Sequence, residues 1–137
     1  MIEIIKPGQK YKLTQYEKLG GEAGVRRLVK FFYEEMKNNK DVKTIRDMHT
    51  PDLTEAEDKL FLFLSGWLGG PSLYIEKFGH PRLRARHLPF SIGIKERDQW
   101  LHCMSHALDK MTIEKPIHDE LMQAFFNTAD FMRNQSE

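Results

Sequence analysis

The chain has 137 residues, enough for one domain that buries a single core or one prosthetic group. Its 21 basic and 20 acidic residues leave a net charge of +1, which argues against nucleic acid as a partner, and its single cysteine, Cys103, excludes an internal disulfide. No apolar run reaches membrane-spanning length, and the start MIEIIKPGQKYKL lacks the core and cleavage site of a secretory signal, so a soluble cytoplasmic domain with no membrane partner is expected.

Apolar residues recur three or four apart through most of the chain, and β-branched alternation is almost absent. The reading is all-α, with an arm over 1–13 and one domain over 14–137. The arm is expected to be irregular, with Pro7-Gly8 as a turn. Thr14 then caps a short helix that stops at Gly20-Gly21. A longer helix from about Glu22 to Asn38 places Val25, Leu28, Val29, Phe32 and Met36 on one face. A short helical turn over Asp41 to Met48 leads into His49, Thr50 and Pro51.

Thr54 opens TEAEDKLFLFLSGWL, where Glu57 three residues on suggests a capping box. Gly69-Gly70-Pro71 should end that helix, because two flexible residues precede one that cannot extend it. Pro71 to Phe78 and Pro81 to Leu88 read as short helical pieces. Ile94 to Met111 is strongly amphipathic, with Trp100, Leu101, Met104, Ala107 and Leu108 at helical spacing. Pro116 suits the first turn of a last helix that reaches about Met132 and carries Leu121, Phe125 and Phe131.

The segment GHPRLRARHLPF, residues 79–90, carries the most chemistry. It holds His80 and His87 with Arg82, Arg84 and Arg86, and no acid. Neutral imidazole ligates iron and other transition metals, while guanidinium forks suit carboxylates and phosphates. Together they suggest a clamp for a metal cofactor that carries anionic groups. In a helix over 81–88, Arg82 and Arg86 would share one face, and Leu83 and His87 another, each pair at i and i+4. The plainer readings are a capped or exposed imidazole for His87 and a solvated basic face or a phosphate site for the arginines.

His102 and His106 are four apart on one predicted helix, a spacing that can hold a metal. No acid accompanies them on that face, so two solvent-facing histidines are expected. His118 has no evident partner. No Walker loop, GxSxG elbow, cysteine-rich zinc site or HExxH helix is present, which leaves hydrolytic and nucleotide-dependent chemistry without machinery. Tyr33 and Trp100 each join a large apolar body to one polar handle. They read either as satisfied core aromatics or as donors to a ligand that gains negative charge. Seven methionines and nine phenylalanines suit a pocket around something flat and apolar.

These pieces in order resemble the truncated haemoglobins, specifically group II. The likeness spans about Tyr16 to Met132 and rests on Gly20-Gly21, FLSGWLGGP over 63–71, GHPRLRARHLPF and ERDQWLHCM over 96–104. It implies a two-over-two helical sandwich, a truncated globin fold, around haem b. His87 would be the proximal iron ligand, with a backbone carbonyl or water fixing its other nitrogen. Arg86 would pair with a propionate and Tyr74 would do the same through its hydroxyl. Leu83, Phe90, Phe63, Leu60, Ile94 and Met104 would line the haem, with Ala56 as a small, open gate. His80 would be structural, and Arg82 and Arg84 rim or solvent charges.

Tyr33, Trp100 and His49 would meet the small ligand, with Tyr33 and His49 hydrogen-bonded to each other, while the other reading of His49 is a loop cap. Tyr33 and His49 are also the candidates for the sixth iron site when no ligand is present. The resemblance implies binding of dioxygen, nitric oxide or carbon monoxide, either as retention or oxygen transport. The alternative is nitric oxide dioxygenation or peroxidase-like chemistry, which needs an unknown electron-donor reductase because no flavin or nicotinamide motif is present. A ligand sensor ranks last, since no output domain accompanies the globin. A monomer or weak dimer is expected.

Overall fold

A computed structural model describes residues 13–137; the expected arm over 1–13 lies outside them except for Leu13. The described residues form helices and no strand: α1 (Gln15–Lys18), α2 (Gly21–Asn38), a 3-10 turn (Lys40–Val42), α3 (Lys43–Arg46), α4 (Thr54–Trp67), α5 (Leu73–Phe78), α6 (Leu83–His87), α7 (Ile94–Asp109) and α8 (Lys115–Phe131). The helices α2 and α4 make one packed pair, α7 and α8 another, and α2 lies against α7 to join them. No helix among the described residues is long and apolar enough to cross a membrane.

The boundaries have local causes. Thr14 caps α1 through a reciprocal box: its Oγ1 accepts from the Glu17 N–H at 3.1 Å, and Oε1 of Glu17 accepts from the Thr14 N–H at 3.1 Å. Gly20 takes φ +103°, a left-handed turn that admits glycine without steric cost and starts α2 in a new direction. The expected box at Thr54 does not form. Thr54 is already helical, and it is Asp52 whose Oδ1 accepts from the Thr54 N–H at 2.9 Å and its hydroxyl at 2.6 Å. An acid two residues upstream thus captures the hydroxyl that would otherwise cap. After α4, the buried Ser65 hydroxyl donates to the Pro71 carbonyl at 2.7 Å, closing the Gly-Gly-Pro stop.

The five α2 residues expected on one face are all buried, as are Met104, Ala107 and Leu108 of α7 and Leu121 and Phe125 of α8. Phe131 departs from expectation. It ends α8 at 62% exposure, under the Arg84 guanidinium 5.5 Å from its ring centroid. Core packing begins at the α1–α2 junction, where a Cβ at Gly24 would overlap the Leu19 carbonyl. Gly24→Ala is therefore expected to destabilise the protein by about 1–3 kcal/mol, the usual cost of overpacking. Thermal unfolding monitored by circular dichroism should show a midpoint lowered by several degrees; an unchanged midpoint would mean that α1 shifts freely.

Candidate functional site: a cavity between the helix pairs

A cavity of about 380 Å³ is bounded by α2, α3, α4, α5, α6, α7 and α8. That size falls within the roughly 300–1,000 Å³ of small-molecule and cofactor pockets. Its wall is mostly apolar: Ile45, Met48, Leu60, Phe63, Leu64, Trp67, Leu83, Ile92, Phe125 and Met132. Tyr33, His49, Tyr74, Arg86, His87 and Trp100 reach the same space, as do Ala56 and Phe90.

His87 ends α6, and its Nδ1 lies 2.6 Å from the Leu83 carbonyl, one turn back. A carbonyl only accepts, so Nδ1 carries the proton and the neutral ring keeps an unprotonated Nε2. That is the arrangement by which a backbone carbonyl orients a metal-ligating imidazole. The i, i+4 relation read from the sequence thus takes the form of a hydrogen bond from His87 to the Leu83 carbonyl, with both residues bordering the cavity.

The helix that carries His87 is shorter than expected. Arg82 stands outside it at φ +47°, a left-handed conformation that costs a non-glycine residue about 1–3 kcal/mol. Arg82 and Arg86 therefore do not share a helical face. The Arg82 N–H donates to Nδ1 of His80 at 3.1 Å, which gives His80 its structural role. Of the two expectations for Arg84, the solvent charge fits: it is exposed and does not border the cavity, and its Nη1 donates to the carbonyls of Phe131 and Arg133 at 2.7 and 3.1 Å at the end of α8. Arg86 donates from Nε to the Pro81 carbonyl at 2.7 Å and lies 5.7 Å from the Tyr74 ring centroid. No carboxylate pairs with Arg86 among the described residues, so its charge is free to meet an anionic group at the cavity.

The turn after His87 is held by a residue that the sequence did not signal. Asn134, beyond α8, donates from Nδ2 to the Phe90 carbonyl at 2.7 Å. Its Oδ1 accepts from the Ile92 N–H at 2.9 Å, and its own N–H donates to the Ile92 carbonyl at 2.8 Å. A polar residue in a tail has no periodicity to betray it. Two expected lining residues are elsewhere. Ile94 is 40% exposed, and Met104 is fully buried among core side chains; neither borders the cavity. Ile92 lines it instead, because the loop before α7 turns inward under the hold of Asn134.

On α2 and α7, Tyr33 and Trp100 both touch Phe32, with ring centroids 5.0 and 5.2 Å away, and Trp100 also meets Phe125 at 5.7 Å. The Tyr33 hydroxyl and the Trp100 indole N–H make no hydrogen bond to the described residues. Burial first, then the charges of Glu57 and Cys103, push the Tyr33 phenol well above its ordinary value, so it stays protonated and remains a donor. Of the two readings, that of satisfied core aromatics therefore fails for their polar atoms.

His49 behaves otherwise. Its ring meets the edge of Tyr33 at 5.9 Å and 77°, and its Nδ1 lies 2.8 Å from the Ile45 carbonyl. The neutral ring thus keeps a lone pair at Nε2 and can accept but not donate there. The expected Tyr33–His49 hydrogen bond is absent; the pair makes a ring contact.

The remaining histidines have partners that spacing could not show. Glu35 of α2 supplies the acid missing beside His102 and His106, 2.7 and 3.5 Å from their Nε2 atoms. Nε2 of His118 lies 3.0 Å from the Asp109 carboxylate. Cys103 is buried between these elements and its thiol is pushed up to about 12 by burial, then by Glu35, which makes it inert.

The cavity fits an iron porphyrin on its own terms: an apolar wall for a flat ring, an imidazole with an oriented free nitrogen, and an unpaired guanidinium for an acidic edge. Comparison with known proteins agrees. A family described as Bacterial-like globin matches residues 14–134. The chain is 42% identical over 130 residues to the group 2 truncated hemoglobin YjbI of Bacillus subtilis (strain 168), covering 95% of each. A solved group II 2-on-2 hemoglobin from the plant pathogen Agrobacterium tumefaciens superposes with a TM-score of 0.88 at 38% identity, covering 93% of this chain and 98% of that one. The cold-adapted truncated hemoglobin of the Antarctic marine bacterium Pseudoalteromonas haloplanktis gives 0.87 at 44% identity, covering 90% and 99%. The chain belongs to the bacterial-like globins and is a haem-binding truncated haemoglobin of group II, with the two-on-two helical fold of that group.

Proposed function

We propose that the protein holds haem b through His87 and binds dioxygen reversibly, with retention favoured over rapid release. Haem iron, when bound, supplies an open coordination site for a diatomic ligand. The chain's own residues do the rest. His87 presents Nε2 because Leu83 holds Nδ1–H. Arg86, with Tyr74 beside it, meets a propionate. The observation that carries the reading is the pair of unsatisfied donors, Tyr33 and Trp100, reaching the same cavity as His87. Two donors aimed at a ligand that gains negative charge slow its escape, because departure breaks both hydrogen bonds. His49 serves as a sixth ligand when no small molecule is present, since its Nδ1 is held at the Ile45 carbonyl and its Nε2 is free.

Absorption spectra of purified protein, oxidised, reduced and with carbon monoxide, test this reading. A Soret band that shifts with each state is expected; no Soret band after expression with haem would sink it. The same donors favour a second reading, nitric oxide dioxygenation or peroxidase-like turnover, because they polarise an O–O bond. Turnover requires an electron-donor reductase from outside the chain. Steady-state nitric oxide consumption with a supplied reductase separates the two: consumption at the rate of the buffer blank leaves binding alone.

A further inference from the structure

A second constellation lies at the contact of α2 with α7 and plays no part in the haem site. His102 and His106 stand one turn apart on α7 with rings 6.2 Å between centroids and 27° from parallel. Both turn Nε2 toward one carboxylate: Oε2 of Glu35 is 2.7 Å from His102, and Oε1 is 3.5 Å from His106. The Asn39 amide nitrogen donates to Oε2 of Glu35 at 3.0 Å and lies 3.0 Å from Nε2 of His102, so it meets both groups. Glu35 is largely covered, at 14% side-chain exposure, while the histidines are 51% and 40% exposed, so the imidazoles are the members with room to adjust.

We propose that Glu35, His102 and His106 form a site for one divalent transition ion of the zinc type. Two imidazoles and a carboxylate suit Zn²⁺ or Cu²⁺, whereas Ca²⁺ and Mg²⁺ want a shell of oxygens. Tetrahedral binding at about 2.0–2.1 Å places neighbouring ligand atoms roughly 3.3 Å apart. The His106–Glu35 separation of 3.5 Å is already near that value, and the His102 ring must withdraw from 2.7 Å by about half an ångström. Among the described residues no group of three or more His, Cys, Asp or Glu side chains is arranged to hold an ion as it stands, and in this form His102 lies directly on Glu35, so binding requires the rings to move. An ion displaces any proton shared between imidazole and carboxylate, and solvent completes its shell. Asn39 is the outer partner of the acid, and Cys103, buried and protonated, is not a ligand. The ion would fasten α2 to α7 two residues beyond Tyr33 and Trp100, which line the haem cavity.

Untagged, haem-loaded protein titrated calorimetrically with Zn²⁺ at pH 7.5 provides the test, since haem occupies His87. One saturable equivalent and a raised melting temperature are expected. His102→Ala, His106→Ala and Glu35→Gln should each weaken binding at least tenfold while leaving the haem spectrum unchanged, and His118→Ala should bind as the parent does. Absence of saturable one-to-one binding, or equal affinity in the His102→Ala/His106→Ala double variant, would overturn the proposal.

Discussion

Replacing His87 with alanine is expected to lower haem affinity on the order of a hundredfold or more, given that even outer-shell partners of a metal ligand are worth about 10–100-fold. The protein should purify with little haem and a Soret band unlike that of the parent. Free imidazole, able to enter the space left by the side chain, should restore much of the parent spectrum, which separates loss of the ligand from loss of the fold. The cause is local and specific. His87 Nε2 is available because Nδ1–H is held 2.6 Å from the Leu83 carbonyl, and no other histidine bordering the cavity except His49 offers the same tautomer. A variant that keeps the parent spectrum would move the iron to His49 and refute the assignment.

The second large effect concerns ligand escape. Trp100→Phe removes one N–H and keeps an aromatic ring against Phe32 and Phe125, so packing changes little. A hydrogen bond to a ligand bearing charge is worth about 1.5–3 kcal/mol, and each 1.4 kcal/mol is tenfold. The oxygen dissociation rate, measured by stopped-flow displacement with carbon monoxide, should therefore rise about ten- to a hundredfold. Tyr33→Phe should act in the same direction, because burial keeps its phenol protonated and donating. The double variant should exceed either single one. An unchanged rate in Trp100→Phe would take the indole out of the ligand network and leave Tyr33 as the sole donor.

These expectations rest on residues of unequal legibility. His87 was readable because its partner is Leu83, four residues away on one short helix, and i, i+4 spacing is written in the chain. The apolar faces of α2, α7 and α8 were readable for the same reason, apart from Phe131 at a helix end, where periodicity no longer implies cover. Arg84 is exposed, as a solvent charge would be, but its acceptors, the carbonyls of Phe131 and Arg133, lie almost fifty residues on, and backbone acceptors have no sequence signature. The sequence leaves the His49 tautomer open; the Ile45 carbonyl decides which nitrogen holds the proton.

By itself the sequence determined an all-α chain with its stops at Gly20-Gly21 and Gly69-Gly70-Pro71, and an imidazole set among arginines on a short helix. Helical periodicity and the backbone limits of glycine and proline act over a few residues, so they are visible in order along the chain. The tertiary structure alone decided that Ile92 rather than Ile94 lines the cavity, that Asn134 ties the turn after His87, and that Glu35 joins His102 and His106. Those contacts join residues 42 to 71 positions apart, where the packing of one helix on another, and not spacing, sets which side chains meet.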